Sequence, residues 1–166
     1  MARTRSAKSH DGSAGASAAP PFQPVQLAKL VDHVPVGNAW LHELKFDGYR
    51  CLLSVGASAA HAFTRSGLDW SDKFDAIVAD ALSLPARSAL IDGEVVVIDD
   101  DGRTNFQALQ SAIKGAPARL EYYAFDLLHL DGEDLTGRPL TERKAKLAAL
   151  LKGHDGVIHY SDHIVG

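Results

Sequence analysis

The chain of 166 residues has one cysteine, Cys51. That excludes an internal disulfide and a cysteine-based zinc site, and it suits a reducing cytoplasm. Beside Leu52 and Leu53, Cys51 reads as a buried thiol. No apolar run approaches the ~18 residues that span a bilayer, so no membrane partner is expected. The Gly-x-Gly-x-x-Gly and P-loop phosphate signatures are absent. Positive charge is also scarce: 17 Lys and Arg stand against 21 Asp and Glu, a net charge of −4. A chain that coats nucleic acid through bulk charge is thereby excluded, and any such contact needs a local basic surface. The eight histidines have no metal-ligand spacing, and His154 and His159 read as surface positions.

What is present is the balance of a globular domain, 46% hydrophobic and 23% charged. Residues 1–21 are rich in Ala, Ser, Gly and Pro and read as a disordered tail or linker. Residues 22–36 form a lead-in expected to pack on the fold. Strands are expected before and after a turn at Asp47-Gly48, then over 59–65, 88–98 and 119–130, with a short one from Val157. A bend or bulge is expected at Asp92-Gly93, and turns at 99–102 and Asp131-Gly132. Helices are expected over 71–82, capped by Ser71, over 105–113, and over 140–151, opened by Thr141. Strands dominate and helices intervene irregularly, which predicts an α+β fold with mainly antiparallel sheets.

The chemistry centres on Glu43-Leu44-Lys45-Phe46-Asp47-Gly48-Tyr49-Arg50, whose core reads K-x-D-G-x-R. A lysine at a bend between buried strands can aim its amine into a cleft, and desolvation or nearby cations can release that amine as a nucleophile. Attack on phosphorus would give a phosphoramidate, with little required beyond positioning and charge neutralisation. The alternative is a hairpin with a solvated lysine at its tip. Asp47 could orient the amine or serve the turn; Arg50 is a fork suited to phosphate or a ribose edge, or a solvated strand charge. Glu94 lies between apolar neighbours in Ile91-Asp92-Gly93-Glu94-Val95. It either faces solvent or faces a cleft, where it could hold a ribose hydroxyl or magnesium. In Tyr122-Tyr123-Ala124-Phe125-Asp126, Tyr123 and Phe125 share one side of a strand. An aromatic there packs in a core or stacks on a purine. Thr64-Arg65-Ser66-Gly67 ends a strand as a phosphate grip or a plain hairpin corner.

Taken in order, these segments resemble the covalent nucleotidyltransferases, most closely the ATP-dependent DNA ligases, and among them the ligase domain of bacterial multi-domain end-joining ligases. The likeness runs from about Phe22 to the last residue and rests on the octapeptide, Thr64-Arg65-Ser66-Gly67, Asp92-Gly93-Glu94 and Tyr123-Ala124-Phe125-Asp126-Leu127-Leu128. It implies an adenylation domain, ATP-grasp-like in fold. Lys45 would take AMP from ATP, and the AMP would pass to a 5′-phosphate at a DNA break before a 3′-hydroxyl displaces it. Glu43 would lie near the adenine and Leu44 with it in the nucleotide site. Arg50 would lie near the ribose or phosphates. Glu94 would hold the ribose or a metal, Phe125 would stack on the adenine, and Arg65 would meet the 5′-phosphate. ATP, magnesium, nicked or broken DNA and other end-joining domains or proteins are the implied cofactors and partners, at work on bacterial nucleoid DNA.

The family's Glu-Gly-x-Val-x-Lys motif and its lysine-rich strand do not occur in the 166 residues, and neither does the OB-fold domain that follows them in the family. The resemblance therefore implies the first part of an adenylation domain, with an incomplete sheet, an exposed edge and weak or no complete ligation by this chain alone. RNA ligases and mRNA-capping guanylyltransferases share the K-x-D-G core and are the alternative enzyme reading. A non-catalytic nucleotide- or DNA-end-binding remnant is the alternative outside enzymes.

Overall fold

The computed structural model describes residues 17–166. Eleven elements follow in order: β1 (Leu41–Glu43), β2 (Tyr49–Gly56), β3 (Ala60–Thr64), α1 (Asp75–Ala81), β4 (Ser88–Val97), α2 (Phe106–Ile113), β5 (Leu120–Leu130), β6 (Glu133–Asp134), α3 (Leu140–Leu150), β7 (Ile158–Tyr160) and β8 (His163–Val165). The main sheet has the order β3-β2-β4-β5-β6, all antiparallel, with β7 added to β5 in parallel. This is the expected α+β class.

Period-2 alternation sorts the sheet into two faces. Cys51, Leu53, Val55, Ala89, Ile91, Val95, Val97, Tyr122, Ala124 and Leu127 join Ile77, Ala81, Leu109, Leu147 and Leu150 of the three helices in one buried core. The opposite face carries Arg50, Asp92, Glu94, Phe125 and Asp126, which line an open cleft.

One irregularity makes that second face possible. Between the pairs Asp92↔Asp126 and Gly93↔Ala124, β5 holds an unpaired extra residue, Phe125. Strict alternation after Ala124 would send Asp126 into the core and Leu127 out. The bulge lets Phe125 and Asp126 both face the cleft while Leu127 is buried. A bulge was expected at Asp92-Gly93, and the register does shift there, but the added residue sits on the facing strand. Gly93 serves close approach instead. A Cβ on it would lie 2.4 Å from Tyr122 Cζ and 2.6 Å from Tyr123 O.

Other expectations are corrected. β1 does not form a hairpin with β2; it pairs with β8, with Glu43 opposite His163. Both edges of β2 are already taken by β3 and β4. Ser71 does not cap α1: its hydroxyl is held in a turn with Asp69 and accepts from the Ala62 N–H, and Phe74 stands at the helix start. Thr141 lies inside α3, whose cap position is Pro139. His154 is no surface residue, since its Nε2 sits 2.9 Å from Asp80 Oδ2, which also accepts from the Val157 and Ile158 N–H groups and ties α1 to β7. Residues 1–16 of the expected tail lie outside the described residues. The remainder is packed: Ala57 N–H donates to Ser17 O and Ser54 Oγ donates to Pro20 O. The lead-in packs on the fold at its start, where Phe22 meets Phe63, but it has no regular structure, and Leu30 is 99% exposed. Pro24 and Pro35 remove donors there, and its apolar residues fall on no single face.

Tyr122 is fully buried, with its hydroxyl 3.0 Å from Cys51 O and 2.9 Å from Ile91 O, the tie between β5, β4 and β2. Gly93→Ala is expected to cost about 1–3 kcal/mol by overpacking against that ring. Tyr122→Phe should cost about 1 kcal/mol, the usual net value of one hydrogen bond. Urea denaturation checks both; a G93A variant as stable as wild type would contradict the packing described.

Candidate active site

Lys45 lies two residues beyond β1, in the 44–48 loop that carries the chain to β2. The Gly of K-x-D-G is required for contact rather than for a turn. Its added Cβ would lie 2.1 Å from Val95 O and 2.8 Å from Val96 Cγ1, so only glycine lets the loop press onto β4. That pressing sets Lys45 over the sheet. Lys45, Glu43, Leu44, Phe46, Arg50, Asp92, Glu94, Phe125, Asp126 and Arg143 line one cleft of about 770 Å³. The size suits a nucleotide-scale ligand. Six of the seven residues to which the resemblance gives roles share this cleft, Leu44 among them at the rim, 79% exposed. The seventh, Arg65, is in an adjoining recess of about 680 Å³ whose wall also includes Arg50 and Glu94. A third recess, about 940 Å³, adjoins on the β8 side and shares Glu43, Leu44, Lys45 and Phe46. Phe46 is stacked on Tyr123 at 4.4 Å, which steadies the residue next to Lys45.

Charge on the cleft floor is organised in pairs. Arg50 Nε and Nη2 donate to the two oxygens of Asp92 at 3.0 and 2.7 Å. Arg143 Nε and Nη2 donate to the two oxygens of Asp126, both at 2.8 Å. Such forks compensate carboxylates removed from water. The first pair is asymmetric. Burial pushes the Asp92 carboxyl above its ordinary range, with Arg50 pulling it back and Asp126 adding to the rise. The Arg50 guanidinium is held more firmly protonated, chiefly by its bond to Asp92. Arg50 also lies over the Phe125 ring, 5.5 Å from its centroid, so one face of that ring already has a cation beside it.

Glu94 is different. Burial raises its carboxyl above the usual range, while the Gly48 N–H, Arg50 and Lys45 favour its charged form. It has no arginine fork of its own. Neither Lys45 nor Arg65 has a hydrogen-bond or ion-pair partner among the described residues. Asp47 is exposed and unpartnered too, so nothing connects it with the Lys45 amine. No group of three or more metal-ligating side chains exists among the described residues. With Asp92 and Asp126 engaged by arginines, Glu94 and the second oxygen of Glu43 are the cleft carboxylate groups left for a cation. One carboxylate fits magnesium where phosphate oxygens complete the shell.

Four participants have no role in the sequence reading: Asp92, Asp126, Arg143 and Lys144. Lys144 is fully buried, and its Nζ donates to Glu43 Oε1, Phe125 O and Ser161 O. One signal was available, because Lys144 shares a face of α3 with the buried Leu147 and with Leu151 just beyond the helix.

A family model described as the ATP dependent DNA ligase domain matches residues 23–166, and the chain belongs to that family. It is 39% identical over 144 residues to the multifunctional non-homologous end joining protein LigD of Pseudomonas aeruginosa, covering 86% of this chain and 17% of that protein. It is 35% identical over 150 residues to DNA ligase C2 of Mycolicibacterium smegmatis, covering 84% and 41%. Among solved structures, the ligase domain of M. tuberculosis LigD superposes with a TM-score of 0.63 at 29% identity, covering 76% of this chain and 40% of that one. A mycobacterial DNA ligase D complexed with ATP and MES gives 0.62 at the same identity and coverage. The chain therefore spans well under half the length of each of these relatives.

Glu94→Gln tests the electrostatics. A carboxyl whose folded pKa is raised binds protons more readily folded than unfolded. Its contribution to stability is full below the unfolded value and is lost as pH rises through the folded value. At pH 7 the charged Glu94 is therefore a burden, and E94Q should melt higher than wild type. The gap should close as the pH falls to roughly 3, well below the ~4.3 of an unperturbed glutamate, where both states of the wild type are protonated. Thermal melts across that pH range check this; a variant that melts lower at pH 7 would show that Arg50 and Lys45 outweigh burial.

Proposed function

We propose that this chain is the nucleotide-holding part of the adenylation domain of an ATP-dependent DNA ligase, and that Lys45 is its nucleophile. The observation that carries the reading is the convergence of Lys45, Glu43, Arg50, Glu94 and Phe125 on one cleft, with Lys45 unpaired over a floor of neutralised charges. Deprotonated Lys45 Nζ attacks the α-phosphorus of ATP, a P–N bond forms, and the bond to pyrophosphate breaks. A DNA 5′-phosphate then takes the AMP, and a 3′-hydroxyl displaces it to seal the strand. That a structural neighbour was solved with ATP supports the nucleotide assignment.

In this reading Glu43 and Leu44 meet the base, the open side of Phe125 stacks on it, and Arg50 reaches the ribose or α-phosphate. Glu94 holds a ribose hydroxyl or, together with phosphate oxygens, magnesium, which supplies charge neutralisation at the phosphates. Arg65, unpaired in the recess next to Arg50 and Glu94, receives the 5′-phosphate. Repair of breaks by end joining is the setting that the LigD relatives suggest.

Labelled ATP and magnesium test the proposal, with the chain extended through the family's Glu-Gly-x-Val-x-Lys motif and lysine-rich strand. An acid-labile AMP adduct is expected, and Lys45→Ala should abolish it; an undiminished adduct in K45A refutes the assignment. Labelling by GTP instead would favour a capping-type guanylyltransferase. Phe125→Ala should weaken ATP binding by about 1–3 kcal/mol, the range for an aromatic–base stack. Unchanged affinity would make Phe125 a packing residue only.

A further inference from the structure

Glu43 is a cleft residue whose carboxylate could accept from a nucleobase edge, and it is not free to turn. One of its oxygens, Oε1, accepts from Lys144 Nζ. The other has no partner among the described residues, and the side chain is 30% exposed at the cleft. The lysine is anchored far more firmly than the glutamate. Its side chain is 1% exposed, its three N–H groups are matched by Glu43 Oε1, Phe125 O and Ser161 O, and the Tyr160 ring lies 5.0 Å from Nζ. An ammonium group donates and never accepts. Whatever side chain stands at position 43 must therefore turn an acceptor toward Lys144, and the opposite atom is presented to the cleft.

We propose that Lys144 is a positioning residue that holds one oxygen of Glu43 so that the other is presented to the nucleobase, and thereby supports discrimination between 6-amino and 6-oxo purines. The inference rests on the ATP site proposed above. With glutamate at 43, the presented atom is an acceptor-only oxygen. It suits the 6-amino group of adenine and opposes the 6-carbonyl of guanine. The same ammonium holds the backbone carbonyl of Phe125, so the base-edge contact and the proposed stacking ring share one anchor. Lys144 reaches the base only through Glu43, at the price of an ion buried in α3.

The test is equilibrium binding of ATP and GTP to the 166-residue chain and to variants, each checked for folding by circular dichroism. Glu43→Gln keeps the shape, but Lys144 forces the amide oxygen inward and the NH2 toward the base. The ATP-over-GTP preference should fall about tenfold, the worth of one hydrogen bond to a charged group. Adding Lys144→Met to E43Q frees the amide to turn over and offer its oxygen again, so part of the ATP preference should return. A role confined to stability predicts the reverse, since a second lesion in the same contact can only loosen the site. Lys144→Gln, which keeps a donor for the two carbonyls without demanding an acceptor at position 43, replaces K144M should the methionine variant unfold. A double variant with no more ATP preference than E43Q alone overturns the inference and leaves the ATP site standing. A wild-type chain that binds neither nucleotide overturns the ATP site itself, and this inference with it.

Discussion

Strand β5 carries one residue more than β4 can pair between Asp126 and Ala124, and the cleft depends on that surplus. Side chains on a strand alternate, so a single added residue exchanges inside for outside along everything that follows. Here the exchange brings Phe125 and Asp126 to the same face and still returns Leu127 to the core. An unbulged β5 would bury the Asp126 carboxylate among Leu147 and its neighbours, away from Arg143. It would also leave a leucine on the cleft floor. The glycines at 48 and 93 serve the same end by close approach. One lets the lysine loop press onto β4, and the other makes room for the Tyr122 ring beneath it.

The floor that results holds more charge than a half-buried surface tolerates unpaired. Two arginine–aspartate forks and the Lys144–Glu43 contact settle most of it. What remains outside these pairs is the Lys45 amine, the Glu94 carboxylate and, next door, the Arg65 guanidinium, the groups on which the proposed function calls. The paired charges also link distant segments, since Lys144 joins α3 to the end of β1, to β5 and to the turn before β8.

Much of this was legible along the chain. The Asp92-Gly93-Glu94 run and the aromatic strand lie on strands as expected, Lys45 lies in the bend between β1 and β2, and Phe125, Glu94 and Lys45 line one cleft. The bulge was anticipated at the right place on the ladder but on the wrong strand, because a glycine in a strand signals either an irregularity or a close approach. β1 was paired with its neighbour in sequence, although β2 has no free edge to offer. Ser71 had the chemistry of a helix cap and spends it on Asp69.

By itself the sequence determined the alternation and apolar stripes that give the α+β class. It also determined the order of the charged motifs, because these are local patterns carried by neighbouring residues. The tertiary structure alone decided which strand edges were already occupied, which carboxylate each arginine would take, and that a lysine on an apolar helix stripe would hold a glutamate 101 residues earlier in the chain. Those choices turn on the cost of leaving a buried donor or charge without a partner. That cost is set only when segments remote in sequence compete for the same space.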